Sequence, residues 1–379
     1  MSGNKSLSTA KKNKEDEFYT QLCDIENELG KYTELNVFKN KTVICNCDDP
    51  FESNFTLYFL MHFNSLKLKR LISTGYSTSS IMGRDLPLYT CVGGGYEAYC
   101  LDIKSTKEYL SGEQTDLDSV SAKKMLEENR DVLTYKLKGD GDFRSEESIA
   151  LLDQADIVVG NPPFSLFRKY LDLIIEHNKL FLIIGNQNNI TYKETFKWIL
   201  QGKVWLGYNA GDMAFKVPDS YEARETRFWI DETGQKWRSF GNICWFTNID
   251  TPKHHELFRT GYVYKGHEDM YPKYDGYDAI DLGKYRKDGK RTGDSSVLPY
   301  DYEGVMGVPV SWLDKHCPEQ FEIIGLDRYT VPKEYLVGGR VAINGNSLYA
   351  RILIKAKQPG RNDWDAWQKE IDEKQKGEK

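Results

Sequence analysis

The chain has 379 residues, 40% hydrophobic and 13% aromatic, which is enough for a large core and favours more than one domain. The net charge of −6 does not by itself indicate a nucleic-acid binder, although such a protein needs positive charge only on its contact face. No apolar run is long enough to cross a bilayer, and the polar N-terminal stretch excludes a secretory signal. The cysteines of "CNC" at 45–47 have no second Cys/His pair at zinc spacing, so no zinc site is expected, and the seven scattered cysteines indicate reduced thiols in a cytoplasmic protein.

The first part of the chain begins a pattern of short apolar strands. We predict that the polar residues 1–15 are disordered and that a short helix follows them. Strands are then expected in "KTVICNCDDP" and in "LKRLISTGYS". The Gly-, Ser- and charge-rich residues 78–130 are interpreted as an insertion with one possible hairpin. A third strand is expected in "LTYKLKGDGDF".

Strands and amphipathic helices alternate through the next hundred residues. "SEESIALLDQA" starts with a capping serine, "DIVVG" is a strand, and "SLFRKYLDLIIEHN" has the i, i+3, i+4 apolar pattern of a helix. "KLFLIIGN", "TYKETFKWILQGK", "VWLGY" and "GNICWFTNI" continue as strand, helix, strand and late strand. This order predicts an α/β fold: a parallel sheet with helices on both faces. Ligands of such sheets bind at the carboxyl ends of the strands.

The composition changes near residue 250. Tyr, Gly, Pro and basic residues dominate as far as residue 305, and the strand-like "EQFEIIG" and "LYARILIK" follow. We therefore predict a first domain over 16–250, a second lobe over 251–358 and a charged C-terminal tail over 359–379. The richest basic run is "GKYRKDGKR" at 283–291.

The tetrapeptide Asn161–Pro162–Pro163–Phe164 follows the predicted strand "DIVVG" directly. Two prolines remove two backbone donors and restrict two φ angles. The Asn161 side chain and the Pro162 carbonyl therefore offer two acceptors side by side, which suits a planar exocyclic amine, and Phe164 offers a ring for stacking. An ordinary Pro-rich turn remains the alternative interpretation of the tetrapeptide alone.

This tetrapeptide in its strand-to-helix setting resembles motif IV of the S-adenosylmethionine-dependent amino methyltransferases. The segments "DEFYTQLCDIENEL", "VICNCDDP", "GDGDFRS", "DIVVGNPPFSLF", "FLIIGNQNNITYKE", "YPKYDGYDAI" and "LPYDYEGVMGVPVSWL" together resemble the EcoRI-type adenine-specific (N6) DNA methyltransferase family. The resemblance runs in order from about residue 14 to 355 and weakens in the insertion. It implies a Rossmann-like methyltransferase sheet with a C-terminal target-recognition lobe.

The resemblance implies methyl transfer from S-adenosylmethionine to a target adenine that is rotated out of duplex DNA. Asn161 and Pro162 would accept the two N6 hydrogens, Pro163 would keep the turn rigid, and Phe164 would stack on the base. No metal and no catalytic cysteine are needed for this reaction. GAATTC is the candidate target that the family implies, as part of a restriction-modification system.

The resemblance also assigns the cofactor half of the site to three motifs: motif X, motif I and motif III. The residues implied are Phe18, Tyr19, Thr20, Asp48, Asp49, Pro50, Asp142 and Phe143. Two features depart from the usual pattern. Ser53 and Phe55 stand roughly where motif I carries glycines, and "LISTGYS" lacks the acid that would hold the ribose hydroxyls.

Target recognition is expected mainly in the second lobe, with Arg286, Lys287, Lys290 and Arg291 as candidate DNA contacts. We expect a monomer that acts on double-stranded DNA, with no membrane partner and with a paired restriction endonuclease that forms no stable complex with it. The alternatives left open are methylation of RNA adenine or of a protein glutamine, and a non-catalytic DNA-binding or anti-restriction protein.

Overall fold

A computed structural model of the chain describes residues 19–47, 49–75, 98–106, 116–217, 221–285, 291–293 and 295–377. The helices are α1 (Leu22–Glu34), α2 (Asn54–Met61), α3 (Ser119–Glu128), α4 (Arg130–Leu133), α5 (Glu146–Gln154), α6 (Phe167–Glu176), α7 (Lys193–Leu200), α8 (Asp327–Thr330) and α9 (Trp364–Gly377). Among these described helices, none combines the length and apolar character needed to cross a membrane. The predicted disordered segment 1–15 lies outside the described residues.

The strands belong to two main sheets and two short ribbons. In chain order they are β1 (Tyr19–Thr20), β2 (Thr42–Cys45), β3 (Arg70–Thr74), β4 (Tyr99–Ile103), β5 (Thr134–Lys136), β6 (Ile157–Gly160), β7 (Leu180–Asn186), β8 (Trp205–Lys216), β9 (Phe228–Ile230) and β10 (Lys236–Thr247). The later strands are β11 (Lys273–Tyr274), β12 (Tyr277–Asp281), β13 (Gly283–Tyr285), β14 (Arg291–Gly293), β15 (Val305–Pro309), β16 (Phe321–Leu326), β17 (Ala342–Ile343), β18 (Asn346–Ser347) and β19 (Arg351–Ala356).

The chain divides into two compact units. The first comprises Met1–Asn189 and Gly207–Ile249, and the second comprises Ile190–Leu206 and Asp250–Lys379. The predicted boundary at residue 250 leaves residues 190–206, which contain α7, in the first domain, whereas the structure places them in the second unit. These residues group with the second unit because α7 packs against β16.

The first unit is built on a ten-stranded sheet with the order β1-β8-β10-β7-β6-β2-β3-β4-β5, to which β9 is added beside β10. The four central strands β3, β2, β6 and β7 are parallel, while β10 runs antiparallel to β7. Every residue of β2 and β6 is buried. This is the continuous apolar strand pattern of a parallel sheet that is covered on both sides.

Helices cover both faces of this sheet, and neighbouring residues of β10 demonstrate it. The ring of Trp245 lies 6.1 Å from Phe55 of α2, measured between centroids. The next residue, Phe246, lies 4.8 Å from Phe167 of α6. Because successive side chains of a strand point to opposite faces, α2 and α6 lie on opposite sides of the sheet. The predicted Rossmann-like α/β fold is therefore confirmed.

The predicted insertion contributes a strand to the interior of the sheet. Its strand β4 lies between β3 and β5 and runs antiparallel to both. Arg70 of β3 forms a bidentate ion pair with Asp102 of β4, with nitrogen–oxygen distances of 2.6 and 2.8 Å. The segment therefore contributes to the central sheet. Most of the predicted hairpin before β4 lies outside the described residues.

A buried glutamate joins α1 to β8 in the first unit. Glu28 is fully buried, and its carboxylate accepts the backbone N–H groups of Tyr208 and Asn209 at 2.8 Å. The Asn209 side chain and the Tyr32 hydroxyl also donate to it, at 2.8 and 3.1 Å. Gly207 makes room, because a Cβ there would lie 2.2 Å from a carboxylate oxygen. Burial raises the pKa of Glu28, while these donors act in the opposite direction.

The second unit has a five-stranded sheet with the order β11-β12-β15-β19-β16, in which only β12 and β15 pair in parallel among the described strands. A buried ion pair lies inside it: the Arg351 Nε atom is 2.7 Å from Asp281, which also accepts the Tyr274 hydroxyl at 2.7 Å. A Cβ on Gly307 would collide with that hydroxyl, so glycine is required there.

The C-terminal segment, predicted as a charged tail, forms α9. Trp367 and Ile371 of this helix are buried in a cluster with Leu257 and Cys317. These two residues lie four positions apart, so they share one face of the helix. The charged residues of the segment occupy the rest of the helix surface, and for this reason its composition resembles that of a solvated tail.

We predict that Glu28→Ala lowers the free energy of unfolding by roughly 2 kcal/mol, because it leaves the part-buried backbone N–H groups of Tyr208 and Asn209 without their carboxylate acceptor. Urea unfolding of the full-length protein would measure the loss. Glu26→Ala, on the exposed side of the same helix, is the matched control and should change stability by less than about 0.5 kcal/mol. Equal stability of the two variants would contradict the assigned role of Glu28.

Candidate active site

The candidate site lies where β2 and β6 end side by side. The two strands pair in parallel, with Val43 opposite Ile157 and Ile44 opposite Val158. Their carboxyl ends are therefore adjacent, and the chain leaves them through Asn46 and Asn161. Both asparagines are buried, with exposed fractions of 6% and 5%. Two amide side chains thus lie at the edge of the sheet where α/β proteins bind ligands.

The Asn-Pro-Pro-Phe tetrapeptide forms a non-helical elbow between β6 and α6. The Pro163 carbonyl accepts the Leu166 N–H at 2.8 Å, so hydrogen bonding of the turn begins after Pro162. Within the described part of the chain, no backbone N–H donates to the Pro162 carbonyl. The elbow therefore keeps a backbone acceptor next to the Asn161 amide.

Two aromatic rings, one from β8 and one from β10, pack against Phe164 of the elbow. The Phe164 ring meets Phe215 of β8 edge-on at 6.4 Å and Phe240 of β10 edge-on at 6.0 Å. Arg238, which is largely buried, lies with its guanidinium carbon 5.1 Å from the Phe240 ring centroid. Edge-to-face contacts of this kind hold a ring in a defined plane. Phe164 is thus presented by the sheet and not only by its own loop.

The loop after β5 is connected to the end of β2 through Tyr170 of α6, the helix that follows the elbow. The Tyr170 hydroxyl donates to the Asn46 side-chain oxygen. The Tyr170 ring packs edge-on against Phe143, with 5.1 Å between centroids. Phe143, predicted as a cofactor residue, is therefore buried beside the helix that follows the elbow, and motifs I, III and IV meet around one tyrosine.

Asp49 shapes the loop after β2. It is fully buried, and one carboxylate oxygen accepts the Phe51 N–H at 2.9 Å and the Tyr99 hydroxyl at 2.8 Å. Burial, and then the charge of Asp49, raise the pKa of Tyr99, so the phenol keeps its proton and donates. Pro50 follows in the same buried turn. Asp49 thus holds the loop and its inserted strand β4 together.

Ser53 explains why motif I departs from its usual glycines. It caps the N-terminus of α2, and its hydroxyl accepts the N–H groups of Phe55 and Thr56 at 3.2 and 3.4 Å. A serine cap satisfies the first donors of the helix without a glycine-rich turn.

The N-terminal aromatic motif is tied to this same loop. The Tyr19 hydroxyl donates to Glu52 at 2.6 Å, and the Asn54 amide donates to the Thr20 carbonyl at 2.7 Å. Strand β1 pairs antiparallel with β8, with Thr20 opposite Phe215. Tyr19 and Thr20 therefore lie beside the motif I loop, and their role as cofactor residues stays a prediction.

Asp142 is paired with Arg144, a contact that was not predicted from the sequence. Its carboxylate accepts the backbone N–H of Arg144 at 2.9 Å and forms two hydrogen bonds with the Arg144 guanidinium. These side-chain bonds lower the pKa of Asp142.

Gly141 has φ +79, and a Cβ there would lie 2.2 Å from the Gly75 carbonyl oxygen. The loop after β5 thus approaches the end of β3 more closely than any side chain would permit.

Sequence reasoning missed several residues around these motifs, namely Asn46, Phe51, Glu52, Tyr99, Arg130, Tyr170, Phe215 and Phe240. Arg130, at the start of α4, lies with its guanidinium carbon 4.3 Å from the Phe51 ring centroid. The available signals were weak. Glu52 and Phe51 adjoin motif I, but Arg130 and Tyr99 come from the segment that was interpreted as an insertion.

Several predicted site residues lie outside the described residues. These are Phe18, Asp48, Arg286, Lys287 and Lys290. Arg291 is described only through its backbone, which pairs with Tyr285 in the β13–β14 ribbon.

A parallel sheet with an Asn-Pro-Pro-Phe elbow at the carboxyl end of β6 defines a methyltransferase of the Rossmann-like class. Residues 6–357 match the family described as adenine-specific methyltransferase EcoRI. The chain is 43% identical to the Type II methyltransferase M.EcoRI of Escherichia coli over 357 residues, covering 94% of this chain and 97% of that protein.

Two further relatives come from mycoplasmas. The Type II methyltransferase M.MgeORF184P of Mycoplasma genitalium is 34% identical, covering 92% of this chain and 98% of its own. M.MpnI of Mycoplasma pneumoniae is 32% identical, covering 92% and 97%. The chain belongs to the EcoRI family of adenine-specific DNA methyltransferases, as the sequence motifs indicated. It is an enzyme of that class.

The chemistry of the site fits S-adenosylmethionine, which methyltransferases use in general. Carboxylates and aromatic rings come together in the loops after β2 and β5, including Asp49, Glu52 and Asp142. A carboxylate offers about four acceptor positions, so bonds within the loops leave capacity for a ligand's hydroxyl or amino groups. Negative groups also suit a positively charged sulfonium.

We predict that Gly141→Ala weakens binding of S-adenosylmethionine and lowers the free energy of unfolding by at least about 1–2 kcal/mol, because it strains the backbone and forces the loop away from β3. Isothermal titration calorimetry and urea unfolding would measure the two effects. Gly139→Ala is the control two residues earlier, where an added Cβ meets nothing within 4 Å. If both variants bind like the unmodified protein, the close approach is not required for the site.

Proposed function

We propose that the protein methylates the N6 atom of one adenine within a short sequence of duplex DNA, after rotating that base out of the helix. The observation that carries the proposal is the elbow at residues 161–164, with two adjacent acceptors and an oriented ring at the carboxyl end of β6. An adenine inside the duplex is inaccessible, so its rotation is a requirement of the chemistry.

The elbow performs the chemistry through hydrogen bonding. The Asn161 side-chain oxygen and the Pro162 carbonyl accept the two hydrogens of the N6 amine. Both bonds draw the amine away from planarity and localise its lone pair, and both stabilise the positive charge that develops on N6. Pro163 restricts the turn, so the acceptors need little reorganisation. Phe164 stacks on the base.

The groups that hold the cofactor come from three motifs. We assign this role to Phe18, Tyr19 and Thr20, to Asp48, Asp49 and Pro50, and to Asp142 and Phe143. When bound, S-adenosylmethionine supplies an electrophilic methyl group on a sulfonium. Asp49 acts mainly by holding its loop, since its carboxylate already joins Phe51 to Tyr99. Asp142 reaches the cofactor while it remains paired with Arg144.

Target recognition is assigned mainly to the region 251–358, with Arg286, Lys287, Lys290 and Arg291 contacting the DNA. GAATTC is the target we propose, because the overall similarity to M.EcoRI is extensive. A few base-reading side chains could alter that target while the elbow stays the same. We further propose that the protein acts as a monomer in the cytoplasm and protects DNA from a paired endonuclease without forming a stable complex with it.

The proposal is tested by incubating labelled S-adenosylmethionine and the full-length protein with unmethylated plasmid, followed by single-molecule sequencing. We expect N6-methyladenine at one short motif. Modification confined to RNA or to protein, with none on duplex DNA, would refute the proposal. Modification of DNA at another motif would retain the reaction and overturn only the GAATTC assignment.

We predict that Asn161→Ala lowers kcat by about 10²–10³-fold, because one of the two acceptors that stabilise the transition state is lost. Affinity for S-adenosylmethionine should change little, since Asn161 contacts the base. Asn161→Asp retains an acceptor oxygen and should keep more activity than the alanine variant. A loss of cofactor binding as large as the loss of kcat would instead assign Asn161 to the cofactor half of the site.

The basic run at 283–291 supplies a prediction about DNA affinity. The double substitution Lys287→Ala and Lys290→Ala should reduce the slope of log affinity against log salt concentration by roughly 2, because each phosphate contact contributes about 0.9. Fluorescence anisotropy with a labelled duplex would measure it. Lys374→Ala with Lys376→Ala, on the exposed side of α9, removes the same charge and should leave the slope nearly unchanged.

A further inference from the structure

Two histidines and an aspartate of the second unit direct their side chains to one point. Asp250 precedes a single helical turn, Pro252–His255, that carries His254 and His255. The His255 Nε2 atom lies 2.7 Å from the Asp250 Oδ1 atom, and the His254 Nδ1 atom lies 3.4 Å from that same oxygen. One ligand atom from each residue lies within 4.8 Å of the others. A tetrahedral metal ion with bonds of about 2.0–2.2 Å holds its ligand atoms about 3.3–3.6 Å apart, so the 3.4 Å separation fits such an ion, whereas the 2.7 Å separation is a hydrogen bond that lengthens when a metal binds.

Contacts behind the cluster hold both imidazole rings in place. The His255 Nδ1 atom, on the far side of the ring from Asp250, lies 2.7 Å from Glu319. Glu319 in turn accepts a hydrogen bond from the Cys317 thiol at 3.3 Å. The His254 ring stacks on Trp205, with 4.2 Å between centroids and 10° between planes. Ring orientation is therefore set by groups outside the cluster.

The cluster differs from a simple ion pair because it contains a second imidazole. His177 and Asp153 form such a pair in the first unit, with one ring nitrogen 2.7 Å from one carboxylate. At Asp250 a second histidine turns its Nδ1 atom toward the oxygen that His255 already contacts. The carboxylate of Glu319 behind His255 repeats the carboxylate–histidine–metal arrangement, in which an outer carboxylate orients a ligating imidazole.

We propose that Asp250, His254 and His255 bind a divalent transition-metal ion of the zinc class, with Glu319 orienting His255. Two imidazoles and one carboxylate favour zinc and its neighbours over Mg²⁺ or Ca²⁺, which prefer oxygen ligands. The side chain of Asp250 is 47% exposed, whereas those of His254 and His255 are 14% and 12% exposed. The site is thus open on the aspartate side, where a water molecule completes the coordination.

Metal binding replaces the proton between His255 and Asp250. The ring nitrogen and the carboxylate oxygen become ligands, and the proton leaves to solvent. The ion then connects Asp250 to the turn Pro252–His255 and, through Glu319, to the segment before β16. This site is independent of the methyl-transfer chemistry, whose acceptors lie in the first unit.

Cobalt titration tests the proposal, because tetrahedral Co²⁺ absorbs visible light and substitutes for zinc. Full-length protein without an affinity tag is stripped with chelator and titrated with Co²⁺, and then Zn²⁺ is added as a competitor. We expect one equivalent to bind with a dissociation constant of about 1 µM or lower, and Zn²⁺ to displace it. Quenching of Trp205 fluorescence should follow the same titration, since His254 stacks on that ring.

Matched variants decide whether these residues are the ligands. His254→Ala and Asp250→Asn should abolish the cobalt spectrum, and Glu319→Gln should weaken affinity about 10–100-fold without abolishing it. His177→Ala, which removes the ordinary ion pair, should bind like the unmodified protein. Far-ultraviolet circular dichroism identifies any variant that does not fold, and Glu319→Gln then carries the test. Absence of saturable binding, or binding unaffected by His254→Ala and Asp250→Asn, would overturn the proposal.

Discussion

The parallel pairing of β2 with β6 is the constraint on which the site depends. It brings two loops that are more than a hundred residues apart in sequence to the same edge of the sheet. One loop carries Asn46 and Asp49, and the other carries the elbow that begins at Asn161. Any shift in this register would separate the elbow from the loop that carries Asp49. The buried residues of both strands make such a shift costly, because each side chain has a place in the core.

Buried polar contacts then set the shape of the loops that the sheet has brought together. Asp49 accepts from its own loop and from Tyr99 of the inserted strand, and Tyr170 connects Asn46 to the helix after the elbow. Buried polar groups are stable only when they are hydrogen-bonded. The same groups that order the loops therefore limit their movement. In the proposed mechanism, this order holds the Asn161 and Pro162 acceptors in place for the base, as preorganised electrostatic stabilisation requires.

The helices and strands of the first unit were largely predictable, because each carries its own apolar period. Ser145 caps α5 as expected, and α6 buries the predicted face. The predictions were less complete where composition conceals the packing. Strand β4 (Tyr99–Ile103) lies in the Gly-, Ser- and charge-rich stretch for which we predicted one possible hairpin. Helix α9 buries Trp367 and Ile371 while its remaining surface is charged, so composition alone suggested a tail.

The alternation of strands and helices, the Asn-Pro-Pro-Phe elbow and the family can be read from the sequence, because each is carried by short contiguous segments. The three-dimensional fold supplies the partners of the site residues: Tyr99 for Asp49, Arg144 for Asp142, and Phe215 and Phe240 for Phe164. Asp142 and Arg144 are two positions apart, but each charged side chain could bond to other groups, so their spacing alone does not predict this pair. The other contacts join residues far apart in the chain, and such contacts leave no periodic or spacing signal. They follow from the order in which strands enter the sheet, which no single segment specifies.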